Sequence, residues 1–262
     1  EAKQATEPGG IMLSRYQFIA SLVAVVLVSF STVNAEVVEY VLTIAEETFN
    51  VTGEDIQAIT INGGIPAPTL YFEDGDSAII RVHNQLDNET SIHWHGLLVP
   101  PGMDGVPYVS FPPIKAGSTF TYSFRLRQSG TYWYHSHTGL QEQRGMYGAI
   151  VIEPKERRLK YDREHTVVLS DWTNENPHSV LNKLKRGSEW FSVQKGAGQS
   201  VIGALKAGMI GDFFKRELQR MPPMDLSDVA YDRFLANGSP EISLDADPGE
   251  RVRLRIVDGS ST

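Results

Sequence analysis

The sequence of 262 residues contains no cysteine. This excludes a disulfide scaffold, a thiol nucleophile, a cysteine-based zinc site and a thiolate-ligated blue-copper site within this chain. Cationic side chains are also scarce, since 24 lysines and arginines face 32 aspartates and glutamates, for a net charge of −8. This balance argues against nucleic acid or an anionic membrane surface as the main partner.

Long apolar runs are short as well. Ile19–Phe30 spans about 12 residues, too few to cross a bilayer of about 30 Å as a helix. Arg15 precedes the run, and small or apolar residues end at Ala35, as in a secretory signal peptide. We therefore predict a signal peptide over residues 12–35, starting at Met12, and an exported protein without a stable membrane anchor. A retained anchor is the alternative.

Residues 1–11 precede that methionine, and we interpret them as an upstream extension. The length of the chain suggests one or two domains. Hydrophobic residues make up 41% of the chain and charged residues 21%, which is ordinary globular composition. An exported protein of this composition is expected in the periplasm or outside the cell.

After the predicted cleavage point the pattern is that of β-strands. Glu36–Val51 alternates apolar and polar residues, and Ser77–Asn84 is β-rich. Further short strands are expected at Thr119–Leu126, Gly130–His135 and Ala149–Ile152. Short strands joined by glycine and proline turns predict an all-β sandwich or Greek-key barrel over residues 36–155. The charged stretch that follows is expected to be a linker.

The second unit, 156–262, opens with a strand at His165–Trp172. Residues 176–222 then break the β pattern, because apolar residues recur there at helical spacing. Gly196 and Gly198 separate two predicted helices. We expect a helical insertion in a second β-domain.

An internal repeat connects the two units. The triplet Ile61-Asn62-Gly63 and the triplet Ala236-Asn237-Gly238 lie 175 positions apart, each followed by a proline, a second turn and a basic-apolar strand. The repeat predicts two tandem domains of one fold, with chance resemblance as the alternative. In this register Thr262 matches a point just before Ser91, so we expect the second domain to be truncated and the chain to be an N-terminal fragment.

Four of the seven histidines form two His-x-His pairs, His93 with His95 and His135 with His137. Positions i and i+2 of a strand face the same side, so each pair presents two imidazoles in parallel. Imidazole ligands without thiolate suit copper, zinc, iron or nickel, and copper(II) binds tightest. The other three histidines are single and are read as ordinary residues: His83, His165 and His178.

The residues around the pairs carry a resemblance. The run SIHWHGLLVPPGMDGVP from Ser91 to Pro107 resembles the first copper motif of multicopper oxidases, and GTYWYHSHTG from Gly130 to Gly139 resembles the second. LSDW ending at Trp172 and GDFF ending at Phe214 bring the chain closest to the bacterial copper-resistance (CopA-like) branch. The resemblance implies tandem cupredoxin domains and a trinuclear copper cluster.

The same resemblance implies a role for each ligand. His93 would bind the type 2 copper, His95 and His135 one type 3 copper, and His137 the other. Asp104 matches an acid that helps deliver protons to reduced oxygen; an ordinary turn aspartate is the alternative. The family uses eight histidines for the cluster, so half of the ligands and the type 1 copper would lie outside this chain.

The activity implied is oxidation of cuprous ion or phenol-like substrates, one electron at a time, with reduction of dioxygen to water. The 262-residue chain alone would be inactive as an oxidase. Members of the branch often carry a twin-arginine signal, whereas Arg15 is single here and favours the general secretory (Sec) route. The alternatives are a non-enzymatic exported copper-binding module and a two-domain copper enzyme such as a nitrite reductase or small laccase. The sequence does not indicate the oligomeric state.

Overall fold

The computed structural model describes residues 36–156, 159–187, 190–196, 198–219 and 226–261. The predicted upstream extension and signal peptide lie outside these residues. Within the part of the chain described, no helix is both long and apolar enough to cross a membrane.

Eight strands of the first unit form two four-stranded sheets. The first sheet has the order β2-β1-β4-β6 and consists of β1 (Val37–Phe49), β2 (Ile56–Ile61), β4 (Ser77–Asn84) and β6 (Thr119–Arg125). The second sheet has the order β3-β8-β7-β5 and consists of β3 (Ala67–Glu73), β5 (His93–His95), β7 (Gly130–His135) and β8 (Tyr147–Glu153). The predicted strands of this unit are therefore present, with shifts of one or two residues at their ends.

The inward faces of the two sheets make the main apolar core. On β4 every second side chain is buried, which places Ala78, Ile80 and Val82 in the core. Trp94 from β5 and Tyr122 from β6 are fully buried and meet edge to face, with ring centroids 5.0 Å apart. Among the described residues the strands do not close into a barrel, so the first unit is a sandwich. The all-β prediction is confirmed in this form.

A third sheet comes from the second unit. It has the order β10-β9-β11 and consists of β9 (Arg163–Trp172), β10 (Arg233–Ala236) and β11 (Val252–Asp258). β11 runs parallel to β9, as β4 runs parallel to β1. β10 runs antiparallel to β9, as β2 does to β1. The same pairing thus occurs in both units.

The turns of the internal repeat have the same backbone conformation. Asn62 and Asn237 both have positive φ, at 53° and 50°, and each is followed by a glycine of positive φ. Asparagine tolerates this left-handed region better than most residues because its side chain bonds to nearby backbone. The repeat seen in the sequence therefore has a structural counterpart.

Four short helices lie between β9 and β10. They are α1 (Pro177–Lys185), α2 (Trp190–Gln194), α3 (Val201–Lys206) and α4 (Ile210–Gln219). The helical insertion was expected, but the expectation of two helices was wrong. Gly187 follows α1 and Gly208 follows α3, both with positive φ, a conformation in which helices commonly end. These two glycines divide the stretch further than Gly196 and Gly198 alone.

The third sheet packs on the first unit through an apolar cluster. Its members are Ala58, Ile65, Tyr147, Ala149, Val168, Trp172, Leu235 and Val257. Next to this cluster, the buried guanidinium of Arg255 on β11 donates to Glu164 on β9 and to Thr131 on β7, and it also pairs with Glu153 on β8. The contact therefore combines apolar packing with a buried ionic network.

Candidate metal centre

The four paired histidines come together at one end of the second sheet. β5 and β7 are antiparallel neighbours, and their register places His93 directly opposite His135. His95 lies two positions along on β5, and His137 lies just beyond the end of β7. The i and i+2 spacing thus points both pairs to one face, as predicted.

The imidazole rings converge closely. The ring centroids of His93 and His137 are 4.7 Å apart, and those of His135 and His137 are 4.9 Å apart. One ligand nitrogen from each of His93, His95 and His135 lies within 4.8 Å of the others. His135 is buried and His93 half-buried, whereas His95 and His137 are exposed. The group therefore opens to solvent on one side.

Two ring nitrogens face each other within this group. Nδ1 of His95 lies 3.2 Å from Nε2 of His135. A first-row metal binds imidazole nitrogen at about 2.0 Å, so two nitrogens on one ion are at most about 4 Å apart. The observed separation is within that limit, and the residues present fit a shared metal ion bound by nitrogen.

The other nitrogen of His93 is held by the backbone. Nδ1 of His93 lies 2.7 Å from the carbonyl oxygen of Asp104. A carbonyl only accepts hydrogen bonds, so Nδ1 carries the proton and Nε2 keeps its lone pair. The Asp104 carboxylate lies 3.5 Å from the same nitrogen, and its side chain is one-third exposed. Asp104 thus lies beside the histidines, as the sequence predicted.

Nδ1 of His135 has a charged partner that the sequence reasoning missed. It lies 2.6 Å from Oε2 of Glu142, in the 3-10 turn Glu142–Arg144 after β7. Gln141, just before this turn, is buried, and its side chain bonds Thr90 and Ser136. The only signal for Glu142 in the sequence is an acid soon after a His-x-His pair, which is weak because exposed acids are common.

A tryptophan fixes the plane of the His135 ring. Trp133 stacks on His135 with centroids 3.9 Å apart and an interplanar angle of 6°. It also stacks on His95 at 5.1 Å, because the two residues face each other across β5 and β7. Both rings that share the facing nitrogens are therefore packed on one aromatic side chain.

The pKa values of His95 and His137 are lowered. For each, burial is the largest cause, followed by the positive charge that His135 and His93 would carry. Both effects disfavour protonation. Since a metal binds the neutral imidazole, the group is electrostatically prepared for a cation.

The residues between the ligands have packing roles. Trp94 lies in the core between the sheets, and the Ser136 hydroxyl donates to Gln141. Both point away from the ligand face, as predicted. The three single histidines contact other partners: His83 bonds Thr119, His165 bonds the Asp245 carbonyl, and the backbone N–H of His178 bonds the side chain of Asn176.

Comparison with known proteins agrees with this arrangement. The family model for multicopper oxidases matches residues 43–157. Copper resistance protein A of Escherichia coli is 45% identical over 234 residues, which cover 85% of this chain and 38% of that protein. The chain belongs to the multicopper oxidase family. Copper resistance protein A of Pseudomonas syringae pv. tomato is 44% identical over 233 residues, with the same coverage of both chains.

Solved multicopper oxidases share the fold. The crystal structure of Fet3p, a multicopper oxidase that functions in iron import, aligns with a TM-score of 0.65 at 25% identity, over 86% of this chain and 37% of that one. The blue copper oxidase of Nitrosomonas europaea aligns with a TM-score of 0.62 at 26% identity, over 86% and 62%. The chain spans 38% of the length of the copper resistance proteins, well under half.

Proposed function

We propose that this chain supplies half of the trinuclear copper cluster of an exported multicopper oxidase that acts in copper resistance. The whole enzyme would oxidise cuprous ion or phenol-like substrates and reduce dioxygen to water. The observation that carries the proposal is the convergence of two His-x-His pairs, with ring nitrogens of His95 and His135 3.2 Å apart. Copper supplies the one-electron redox cycling that this reaction needs.

The ring contacts support an assignment of ligands. His95 and His135 would hold one type 3 copper, because their free nitrogens face each other. His93 would hold the type 2 copper through Nε2, since Nδ1 is occupied by the Asp104 carbonyl. His137, which packs against both His93 and His135, would bind the second type 3 copper. The exposed sides of His95 and His137 leave room for further ligands from another part of the enzyme.

Asp104 would have two tasks in this site. Its carbonyl holds the proton on Nδ1 of His93 and so orients the ring. Its carboxylate, close to the same ring and one-third exposed, can take a proton from solvent and pass it toward the cluster. An Asp104→Asn variant keeps the carbonyl and tests the carboxylate alone. A role in proton delivery predicts slower oxygen consumption with unchanged copper content.

The tandem arrangement belongs to the same proposal. Residues 36–155 would be a first cupredoxin domain that carries all four ligands, and residues 156–262 a second domain with a helical insertion. The duplicated strand pairing of β1 with β4 and of β9 with β11 supports this division. With the predicted signal peptide over 12–35, the enzyme would work in the periplasm or outside the cell.

A non-enzymatic copper-binding module is the second candidate. The observation that favours it is the lack of cysteine, because a thiolate-ligated copper for electron entry cannot form from this chain alone. The two candidates differ in the whole protein: an oxidase needs a thiolate-ligated copper elsewhere, whereas a module does not.

The deciding experiment is to express the complete reading frame that contains this sequence, load it with copper and follow oxygen consumption with cuprous ion and with a phenol. The oxidase proposal predicts consumption, and loss of it in His135→Ala but not in His83→Ala, a histidine outside the cluster. Copper binding without oxygen consumption would favour the module. The 262-residue chain alone is expected to bind copper without oxidising either substrate.

A further inference from the structure

We propose that Glu142 is a positioning residue for the copper cluster, holding the Nδ1 proton of His135 so that Nε2 keeps its lone pair toward His95. The identity of the metal rests on the proposed function, but the hydrogen bond to His135 does not. Free imidazole exchanges between two tautomers, and only the one protonated at Nδ1 presents Nε2 as a ligand.

The position of the His135 ring is determined by two contacts. Oε2 of Glu142 lies 2.6 Å from Nδ1, and the side chains are 30% and 7% exposed, respectively. Trp133 stacks on the ring face at 3.9 Å and sets its plane. Stacking leaves the ring free to turn over within that plane, which would exchange the two nitrogens. The carboxylate contact selects the orientation in which Nε2 points toward His95.

Glu142 is itself firmly placed by its neighbours. Arg144, at the end of the same turn, pairs with Glu46 and donates to the carbonyl oxygen of Gln57 on the first sheet. At the start of the turn, the Gln141 side chain is buried and hydrogen-bonded. The turn is therefore anchored on both sides of Glu142, so the carboxylate does not need to be ordered when a metal binds.

The two central histidines differ in the charge of their partners. Nδ1 of His93 meets a neutral carbonyl, that of Asp104, whereas Nδ1 of His135 meets a carboxylate. A carboxylate partner makes an imidazole a stronger donor to a metal than a neutral acceptor does. Glu142 is thus expected to affect both the tautomer and the ligand strength of His135, and to leave His93 unchanged.

Two variants separate these effects. Glu142→Gln keeps an acceptor oxygen but removes the charge, whereas Glu142→Ala removes both. Gln143→Ala, on the exposed neighbour in the same turn, is the matched control. Nitrogen-15 NMR of the histidine rings in the metal-free chain reports the tautomer directly. We expect His135 to be protonated at Nδ1 in the wild type, in Glu142→Gln and in the control, and at Nε2 in Glu142→Ala.

Copper(II) competition titrations give the second readout. Loss of a carboxylate partner behind a metal ligand typically costs about 10–100-fold in affinity, which we expect for Glu142→Ala. A smaller loss is expected for Glu142→Gln, and none for the control. An unchanged tautomer and affinity in Glu142→Ala would overturn the inference. A changed tautomer with no copper binding even by the wild type would support the positioning role and overturn the proposed function.

Discussion

Gly105 lies so close to Ile92 that a Cβ atom on the glycine would stand 1.7 Å from the Ile92 carbonyl oxygen. Gly105 also has a φ of +78°, which side-chain-bearing residues adopt only with strain. It directly follows Asp104, whose carbonyl holds His93. The close approach of these two backbone segments therefore determines where the first ligand pair is placed.

A Gly105→Ala substitution is expected to separate these segments and to destabilise the protein by roughly 2–4 kcal/mol, because both a steric overlap and positive φ are penalised. Copper(II) affinity should fall as well, since the Asp104 carbonyl would move from His93. Urea unfolding and copper titration measure the two effects. Gly102→Ala is the control, because no atom lies within 4 Å of its added methyl group. Equal behaviour of the two variants would contradict this prediction.

The repeated turns predict a matched pair of effects. Asn62 bonds the N–H of Thr43 and the carbonyl of Val41, and Asn237 does the same with Val168 and Thr166. Glycine at either position would keep the left-handed backbone but lose both side-chain bonds.

Asn62→Gly and Asn237→Gly should therefore each lower the free energy of unfolding by about 1–2 kcal/mol, given about 1 kcal/mol or less for each partly exposed bond. Thermal unfolding measures both. A loss confined to one variant would show that the two turns contribute unequally, contrary to the repeat.

The ionic network around Arg255 gives a prediction for the contact of the third sheet. The Arg255 side chain is 1% exposed and pairs with Glu164 and Glu153. Its pKa is raised despite the opposing effect of burial, through its bonds to these two carboxylates. Removing the cation leaves both acids without it in a poorly solvated place.

We expect Arg255→Met to cost about 3 kcal/mol, because breaking a buried pair from one side is strongly destabilising. Arg253→Met is the control: this arginine on the same strand pairs with Glu164 but is 27% exposed. It should cost less than about 1 kcal/mol. Urea denaturation of both variants gives the comparison, and similar midpoints would refute the prediction.

Glu250 predicts a pH-dependent contribution to stability. The Arg163 guanidinium, and then the backbone N–H of Asp247, hold the pKa of Glu250 below its usual value of 4.5. Because the folded state favours the charged form, this contribution is complete above pH 4.5 and is lost as pH falls through the lowered pKa.

The melting temperature of Glu250→Gln should therefore lie below that of the wild type at neutral pH, and the difference should shrink toward about pH 3. Differential scanning calorimetry at several pH values measures it. A difference that is independent of pH would mean that the charge of Glu250 does not contribute.

Much of the fold could be predicted because its signals are local. Alternation along Ser77–Asn84 matches β4 residue for residue, since burial of one face of a strand requires a period of two. The Asn-Gly turns were also visible, because few residues adopt positive φ. The number of helices was not, because a glycine that ends a helix looks like any other glycine in the sequence.

The site divides in the same way. The sequence by itself determined the ligand chemistry, because two His-x-His pairs on strands must each present two imidazoles to one side, and without cysteine these sites cannot use thiolate. Only the tertiary structure decided which nitrogens meet. The facing of His95 and His135, and the carboxylate of Glu142 behind the latter, depend on the register of β5 with β7 and on the turn before β8. Such contacts join residues distant in the chain, and no local preference encodes them.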